Sequence, residues 1–445
     1  MIAFVAVMFL MGGSARDDVV SLAVLRPLAV TFLGFAVVML PRESWRDNRG
    51  LIAIALALPL LTLIHLIPLP PALWHSLPGR DLVWEIGQRA GIEQPWRPIS
   101  LVPFRTWNSF WAFFAPLAAL ALALGMEKEH SKKLVFVLVG VILVSGLLGL
   151  LQSIGAPGNR FYLYAITNDD SAVGLFANRN HQAMLLTIAF PMLAAAASLV
   201  TGAPDTLKPK VWLALGAAVM ILPFLLVTES RAGLVLGGVG ILSAFFVYRS
   251  PTADPLARRE TKRTDYRWAV LGAVGTALAL ATVLVARVSS VQRLFGGGVG
   301  GDIGGDLRMQ VWGPITDAAW SYFPVGTGMG TFVEVYRITE PDQNLSPLYL
   351  NHAHNDWLEM FMTAGLPGLL ILLVALLFLG RGLFRAFVSR RSDRSSEALM
   401  ARLGGAIVLI LGLGSVYDYP LRTPALACLF AIAAVWLIRG TRART

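Results

Sequence analysis

Long apolar runs alternate with short polar segments along almost the whole chain. Most of these runs approach the roughly 20 apolar residues that are needed to cross about 30 Å of hydrocarbon. Several are rich in Gly and Ala, which is typical of membrane helices that pack closely. The pattern therefore predicts an all-α polytopic membrane protein, with residues 1–445 forming a single transmembrane domain. The runs cover 1–13, 19–40, 51–68, 107–125, 134–153, 182–200, 211–228, 232–248, 268–287, 363–384, 403–417 and 423–438, or about twelve transmembrane helices.

The composition excludes a soluble globular class. Of the 445 residues, 56% are hydrophobic and only 14% are charged, whereas soluble domains carry about 25% charged residues. The lone cysteine, Cys428, excludes an internal disulfide or a cysteine-based metal cluster. Residues 1–10 are apolar with no basic segment before them, so we expect a short first helix there and no cleaved signal peptide.

The net charge of +10 reflects membrane topology. If the N-terminus lies inside, the inside segments carry most of the lysines and arginines, as the positive-inside rule requires. We therefore expect anionic membrane lipids as partners, and no nucleic acid. Two outside segments are long: 69–106, which is rich in Pro and Trp, and 288–362, the largest segment between apolar runs.

The end of the 288–362 segment carries the first candidate chemistry. Asn351 can cap a helix that starts near Ala353, Gly365 suits a helix end, and Pro367 suits the first turn of the next helix. We expect this short helix to lie at the outer membrane surface before it breaks into the tenth transmembrane helix.

Histidine is the natural candidate for a general base in this segment. On the expected short helix, His354 shares a face with Trp357 and Phe361. An imidazole there can accept a proton near neutral pH, although a purely interfacial polar role also explains it. His352 is expected to be structural or to provide a second contact.

Arginines provide the candidate anion-binding groups. Arg308 opens a predicted interfacial helix at 309–322, where its planar fork is able to grip an anion. Arg231 lies at membrane depth, in a connection of a few residues between two apolar runs, and charged residues there are functional candidates. Arg26, inside the second run, is expected to extend its charge to the lipid headgroups.

The remaining polar groups give weaker signals. Loop and helix-cap roles explain most of them adequately, and we treat four as possible supporting residues: Arg179, Asn180, Asn355 and Asp418. The glycines near 324–330 lack the Lys-Ser/Thr and the preceding strand of a phosphate-binding loop. The acidic pairs at 17–18 and 169–170 lack histidine support, so we expect no metal site.

Taken together, these elements resemble the O-antigen ligase and Wzy-type polymerase superfamily of bacterial inner membranes. The ligase signature is a His followed by Asn, Ser or Gln, then nine residues and Gly-x-x-Gly, and it is matched here by His354-Asn355 and Gly365-x-x-Gly368. Three further motifs are similar to family members: Ser230-Arg231, Arg308-x-x-x-Trp312 with Pro324-x-Gly326-x-Gly328, and Gly174-x-Phe176-x-Asn178-x-Asn180. The resemblance extends over about 90–385.

The resemblance implies a C-type glycosyltransferase fold with the 288–362 segment as a periplasmic catalytic loop. It implies transfer of a glycan from undecaprenyl diphosphate to an acceptor hydroxyl, without a metal or another cofactor. His354 would be the base, while Arg231 and Arg308 would bind the diphosphate. One base and no enzymic nucleophile imply direct displacement with inversion at the anomeric carbon.

The sequence leaves open two activities that differ in the acceptor, and a transporter is a third alternative. The first is an O-antigen ligase that acts on a lipid A core, and the second is a Wzy-type polymerase of O-antigen or exopolysaccharide repeat units. Leu369 and Leu370 replace the Gly-Thr-Thr of enteric-type ligases, which leaves the acceptor unresolved. A transporter would instead place paired charges or broken helices near the midplane, but the polar residues gather at the outer helix ends.

Overall fold

The computed structural model describes residues 1–155, 158–200, 204–250, 303–345, 349–389 and 393–442. The predicted helix at 268–287 lies outside these residues. Within them, the structure is almost entirely helical, with one two-stranded antiparallel sheet in which Pro68 pairs with Pro98 and Leu69 with Arg97. The elements are α1 (Ile2–Met11), α2 (Leu22–Met39), α3 (Arg42–Asp47), α4 (Arg49–Ile64), β1 (Pro68–Leu69), α5 (Pro71–His75), α6 (Asp81–Arg89), β2 (Arg97–Pro98), α7 (Pro103–Ala112), α8 (Phe114–Leu124), α9 (Lys128–Ile154), α10 (Arg179–Leu199), α11 (Pro204–Val227), α12 (Arg231–Val247), α13 (Ile303–Ser321), α14 (Phe332–Thr339), α15 (Asp356–Phe384), α16 (Ser396–Tyr417) and α17 (Pro424–Gly440).

The prediction of an all-α polytopic membrane protein is confirmed. Seven helical stretches in the described part of the chain are long and apolar enough to cross a membrane, with α7 and α8 counted as one stretch. Four shorter apolar helices, α1, α4, α12 and α17, accompany them. Every predicted apolar run that falls within the described residues lies on one of these helices.

The bundle is built around α10 and α16, which are the most deeply buried of the long apolar helices. Helix α10 packs against α9, α11, α12 and α16, and α17 packs against α16 and α8. Helices at the periphery expose large apolar side chains: Leu213, Val235, Phe245 and Leu377 are each at least 65% exposed. Such apolar exposure is expected of surfaces that face lipid.

Helix α15 is kinked at Gly365, as the sequence predicted for a helix end at this glycine. The φ angle of Gly365 is +55°, outside the helical region, so the backbone groups around it lose their partners within the helix. The segment 324–328 replaces those partners. It makes three backbone hydrogen bonds: Thr327 N–H to Met362 O (3.1 Å), Gly328 N–H to Thr363 O (2.8 Å) and Leu366 N–H to Pro324 O (2.8 Å).

The 69–106 segment packs against the described part of the 288–362 segment, at the end of the bundle that carries Gly365. We call this end the site end. Arg80 is fully buried and donates hydrogen bonds to the carbonyl oxygens of Ile99 (2.7 Å) and Gly326 (3.0 Å). Burial lowers the pKa of Arg80 to about 10, so the guanidinium stays charged at neutral pH. Arg80 therefore ties the 69–106 segment to the segment that braces α15.

The polar segments contain more regular structure than expected. The 69–106 segment, expected as a loop, contains α5, α6 and β2. The helix predicted at 309–322 begins earlier, at Ile303, so Arg308 lies within α13 and does not open it. The run predicted at 107–125 is divided between α7 and α8.

Candidate active site

A histidine and a buried carboxylate form the centre of the candidate site. The Nδ1 atom of His354 lies 3.1 Å from Oδ1 of Asp418, which follows the last residue of α16. The Asp418 side chain is fully buried, whereas the His354 side chain is 23% exposed. A carboxylate only accepts hydrogen bonds, so this contact places the proton of a neutral imidazole on Nδ1. The Nε2 atom then carries the free lone pair.

Asp418 is surrounded by hydrogen-bond donors. The side-chain amide of Asn180 donates to Oδ2 at 2.7 Å, and the backbone N–H of Tyr419 donates to Oδ1 at 3.0 Å. Together with His354, these donors compensate the cost of burying a carboxylate. The carboxylate is thus held in one position by groups from three separate parts of the chain.

Asn180 extends this hydrogen-bonded series to α12. Its Oδ1 accepts a hydrogen bond of 2.7 Å from the Ser230 hydroxyl. Ser230 is the N-cap of α12 and accepts from the backbone N–H of Gly233 at 3.0 Å. Arg231 is the first residue of that helix and has an exposed side chain. The base candidate and an anion-binding candidate are therefore linked through three side-chain hydrogen bonds.

Three helices begin at this site. The side chains of Asn178, Ser230 and Asn355 cap α10, α12 and α15, respectively. Arg179 and Arg231 are the first residues of their helices. The unpaired N–H groups and the dipole of a helix N-terminus favour a negative charge, and the two guanidiniums add to this effect. The site end thus has the electrostatic character of an anion site.

Backbone strain is concentrated in the same place. Within the described residues, the non-glycine positions with positive φ are Glu229 (+54°) and His354 (+48°). Such conformations cost energy and persist only where the surrounding structure imposes them. Glu229 is buried next to Ser230, with its carboxylate 3.9 Å from the guanidinium of Arg179. The strain points to a site whose side-chain directions are fixed by its surroundings.

A second cluster of charged groups lies beside the first. Glu359 on α15 is almost fully buried and contacts His352 Nδ1 at 3.1 Å and Arg422 at 3.0 Å. The Arg422 Nε also donates to Asp356 at 2.9 Å. Although burial opposes its charge, these two carboxylates raise the pKa of Arg422. The cluster is thus a buried ion-pair network that fixes the segment preceding α15.

Tyr419 contacts both histidines. Its ring centroid lies 4.4 Å from that of His352 and 4.9 Å from that of His354. Burial and the adjacent Asp418 raise the pKa of Tyr419, so the phenol is neutral. Its hydroxyl accepts weak hydrogen bonds from Asn178 (3.3 Å) and Asn351 (3.4 Å). Tyr419 therefore packs against both imidazoles, and each imidazole also contacts its own carboxylate.

Two local predictions around His354 are wrong. Asn355, and not Asn351, caps the helix, because its Oδ1 accepts from the N–H groups of Trp357 and Leu358 at 3.1 Å. Consequently, α15 starts at Asp356 and continues through the kink. His354 precedes this helix and does not share a helical face with Trp357 and Phe361.

The structure places the other candidates as follows. Arg308 lies in α13, but its side chain is outside the described part of the structure. Arg26 is on α2 and is not a member of the series that links His354 to α12. Of the acidic residues near the N-terminus, Asp17 pairs with Arg105 and Asp18 with Arg16. No group of three metal-ligating side chains is found among the described residues.

Sequence reasoning missed the roles of Glu359 and Arg422. Glu359 had a signal: it is a carboxylate one turn into a helix that otherwise reads as a membrane span. Arg422 lies in a short connection between two apolar runs, where a charge needs a partner. Nothing in the sequence indicated that these two would meet across 63 residues.

Residues 215–373 match a family model, Wzy_C, that is described as O-antigen ligase. The match covers about a third of the chain and includes Arg231, Arg308 and His354. It confirms the resemblance drawn from the motifs. No curated protein matches the chain. Asn180 and Asp418, which orient the histidine, lie outside the matched segment.

Proposed function

We propose that this protein transfers a glycan from undecaprenyl diphosphate to the hydroxyl of a glycan acceptor. The match of residues 215–373 to the O-antigen ligase family model supports a ligase- or polymerase-type glycosyltransferase. The reaction takes place on the periplasmic face of a bacterial inner membrane. The acceptor of the primary proposal is a lipid A core, as in an O-antigen ligase. The observation that carries this proposal is the hydrogen-bonded series from His354 through Asp418 and Asn180 to Ser230, beside Arg231.

In this mechanism, His354 is the general base. Asp418 holds the Nδ1 proton and thereby leaves Nε2 to take the proton of the acceptor hydroxyl. As the acceptor oxygen attacks the anomeric carbon, the bond from that carbon to the diphosphate oxygen breaks, and the diphosphate leaves with the electron pair. The negative charge of Asp418 stabilises the imidazolium that forms. Direct displacement inverts the anomeric configuration.

The leaving group needs positive charge, because a sugar–diphosphate bond breaks to give a multiply charged anion. We assign this role to Arg231 and Arg308, which can form charge-assisted hydrogen bonds with phosphate oxygens. The N-terminus of α12 supports Arg231 in this role. Arginine residues can neutralise the leaving group without a metal, so the proposed reaction is metal-independent. Arg179, Asn355 and His352 are assigned supporting positions around this core.

The test is glycan transfer by purified protein in lipid. Replacing His354 by Ala is expected to abolish transfer while the protein remains folded and inserted. Replacing His130 by Ala is the matched control, because His130 is an exposed histidine at the opposite end of the bundle. Replacing Arg308 by Lys is expected to slow transfer, since a point charge cannot form the same fork. Wild-type turnover by either active-site variant would remove that residue from the mechanism.

The departure from the enteric signature at Leu369 and Leu370 keeps a Wzy-type polymerase as the second candidate. A deletion strain separates the two activities. Long chains that accumulate on undecaprenyl diphosphate indicate a lost ligase. Single repeat units attached to the lipid A core indicate a lost polymerase.

A further inference from the structure

A large cavity lies beside the His352 segment. It has a volume of about 670 Å³ and is lined by parts of α2, α4, α8, α15, α16 and α17. It extends from Arg16 and His352 at the site end to Leu383 near the far end of α15. Its walls are mainly apolar along the helices, and its polar lining residues gather at the site end. This shape suits a molecule with a long apolar chain and a polar head.

Within the described part of the chain, the carboxylates lining this cavity have cationic partners. Asp17 pairs with Arg105, while Asp356 and Glu359 pair with Arg422. These carboxylates therefore do not supply a counter-charge for a further cation in the cavity.

Arg26 on α2 also lines the cavity, and it has no such partner among the described residues. Its Nε is buried without a hydrogen-bond acceptor. A guanidinium next to apolar helices is costly unless an anion compensates it. An anionic group on a molecule bound in the cavity would compensate the charge of Arg26.

A second donor in the cavity lacks an acceptor. The indole Nε1 of Trp357, which also lines the cavity, is buried without a hydrogen-bond partner. Trp357 is the second residue of α15, and Arg26 lies about 6 Å along α2 from Leu22, at the rise of an α-helix. Both donors thus belong to the site end, where the head of an elongated amphipathic ligand would lie.

The two histidines differ in whether they line the cavity. The cavity lining includes His352 and Glu359, whereas the described residues that line it do not include His354, Asp418 or Arg231. Among the described residues, the cavity lining therefore includes neither the proposed base nor Arg231. A lipid in the cavity would still reach the His352 segment, two residues from the proposed base.

We propose that this cavity binds the lipid anchor of the glycan acceptor. The hydrocarbon lies along the apolar helix faces, and an anchor phosphate binds Arg26 and the indole N–H of Trp357. The acceptor lipid then approaches the site along the His352 segment, while the donor diphosphate is bound near Arg231. The identification of the lipid as the acceptor rests on the proposed glycan transfer. The lipid site itself does not depend on turnover.

Photocrosslinking tests the lipid site directly. The photoreactive residue p-benzoylphenylalanine replaces Leu376, which lines the cavity, or Leu377, which faces away and is 65% exposed. The probe is an alkyne-tagged lipid A, the anchor of the proposed lipid A core acceptor, added to the full chain in phosphatidylethanolamine vesicles. We expect strong crosslinking at 376 and weak crosslinking at 377, with an alkyne-tagged dephosphorylated lipid A giving little product at either position.

Variants then separate the phosphate contacts from general effects. We expect Arg26→Gln to lower crosslinking at 376 roughly ten-fold, because a charge-assisted hydrogen bond is lost, and Trp357→Phe to lower it less. Arg381→Gln is the arginine control, on the same helix as Leu376 but at its far end. Trp436→Phe is the indole control, because its Nε1 is likewise buried without a partner yet lies outside the cavity lining. Neither control is expected to change the yield.

Transfer kinetics identify the lipid as the acceptor. Arg26→Gln is expected to raise the KM for a lipid-linked acceptor roughly ten-fold and to leave the donor KM unchanged. A raised donor KM would assign the cavity to the donor, and displacement of the probe by phosphatidylglycerol would assign it to bulk phospholipid. Either result, or unchanged crosslinking in Arg26→Gln, overturns the inference. Specific crosslinking without any transfer would instead contradict the proposed function alone.

Discussion

Replacing Asp418 by Asn tests the orientation of the proposed base with a change of one atom. The side chain keeps its shape but loses the negative charge next to His354. It also gains an NH₂ group in a place where the carboxylate accepts hydrogen bonds from Asn180 and Tyr419. Asn180 would have to turn its amide to satisfy that group, which also alters its contact with Ser230.

The magnitude follows from the 3.1 Å contact and the complete burial of Asp418. Removing a charge-assisted hydrogen bond costs about 1.5–3 kcal/mol. If this stabilisation acts on the imidazolium formed in the transition state, kcat falls roughly 10- to 150-fold. The donor KM is expected to stay near its wild-type value, because Asp418 does not contact the diphosphate in the mechanism.

The assay is initial-rate glycan transfer in proteoliposomes, with Asp317→Asn as a control for an exposed carboxylate on α13. The double variant with His354→Ala is the sharper test. Once the base is absent, its orienting carboxylate has nothing left to orient, so the double variant should be as slow as His354→Ala alone. Wild-type rates in Asp418→Asn, or losses that multiply in the double variant, would refute the reasoning.

Three further predictions concern the frame around the site. Glu359→Gln breaks a buried ion pair and should lower the unfolding free energy by about 3–5 kcal/mol; an unchanged thermal midpoint in detergent would contradict this. Gly365→Ala places a Cβ at positive φ and 2.3 Å from the carbonyl oxygen of Pro324, and should cost at least about 1–3 kcal/mol by the same measurement. Gly380→Ala, whose added Cβ meets no atom within 4 Å, should cost nothing measurable. Ser230→Ala should lose both the helix cap and the hydrogen bond to Asn180. This should lower stability by about 0.5–2 kcal/mol and slow transfer. Ser395→Ala removes a similar cap at the start of α16 and should leave the rate of transfer unaffected.

The periodicity of the sequence was sufficient to predict the bundle, because a membrane helix satisfies its own backbone hydrogen bonds. The position of each helix therefore depends on a local apolar run. The Gly365 kink was also visible, since a glycine and a proline two residues apart mark a break. The errors were at helix starts. Helix α13 begins at Ile303 and not at residue 309. The helix that follows His354 is capped by Asn355, and not by Asn351, four residues earlier.

The candidate site could be predicted only as a set of separate motifs. Ser230-Arg231 and His354-Asn355 each have a local signature. Their connection depends on Asn180 and Asp418, which come from helices far apart in the chain. Such contacts follow from how helices pack, and packing of similar apolar surfaces leaves little trace in a single sequence.

The hydrogen-bonded series has a consequence for how the protein is made. Its members lie on segments that leave the ribosome far apart in time, and the carboxylate is the last of them to emerge. A nascent chain that has inserted only as far as α15 already possesses the imidazole but has nothing to hold it. Such a chain would acquire its competent geometry only when the final pair of helices enters the membrane. Truncation shortly before residue 418 should therefore yield an inserted but inert protein.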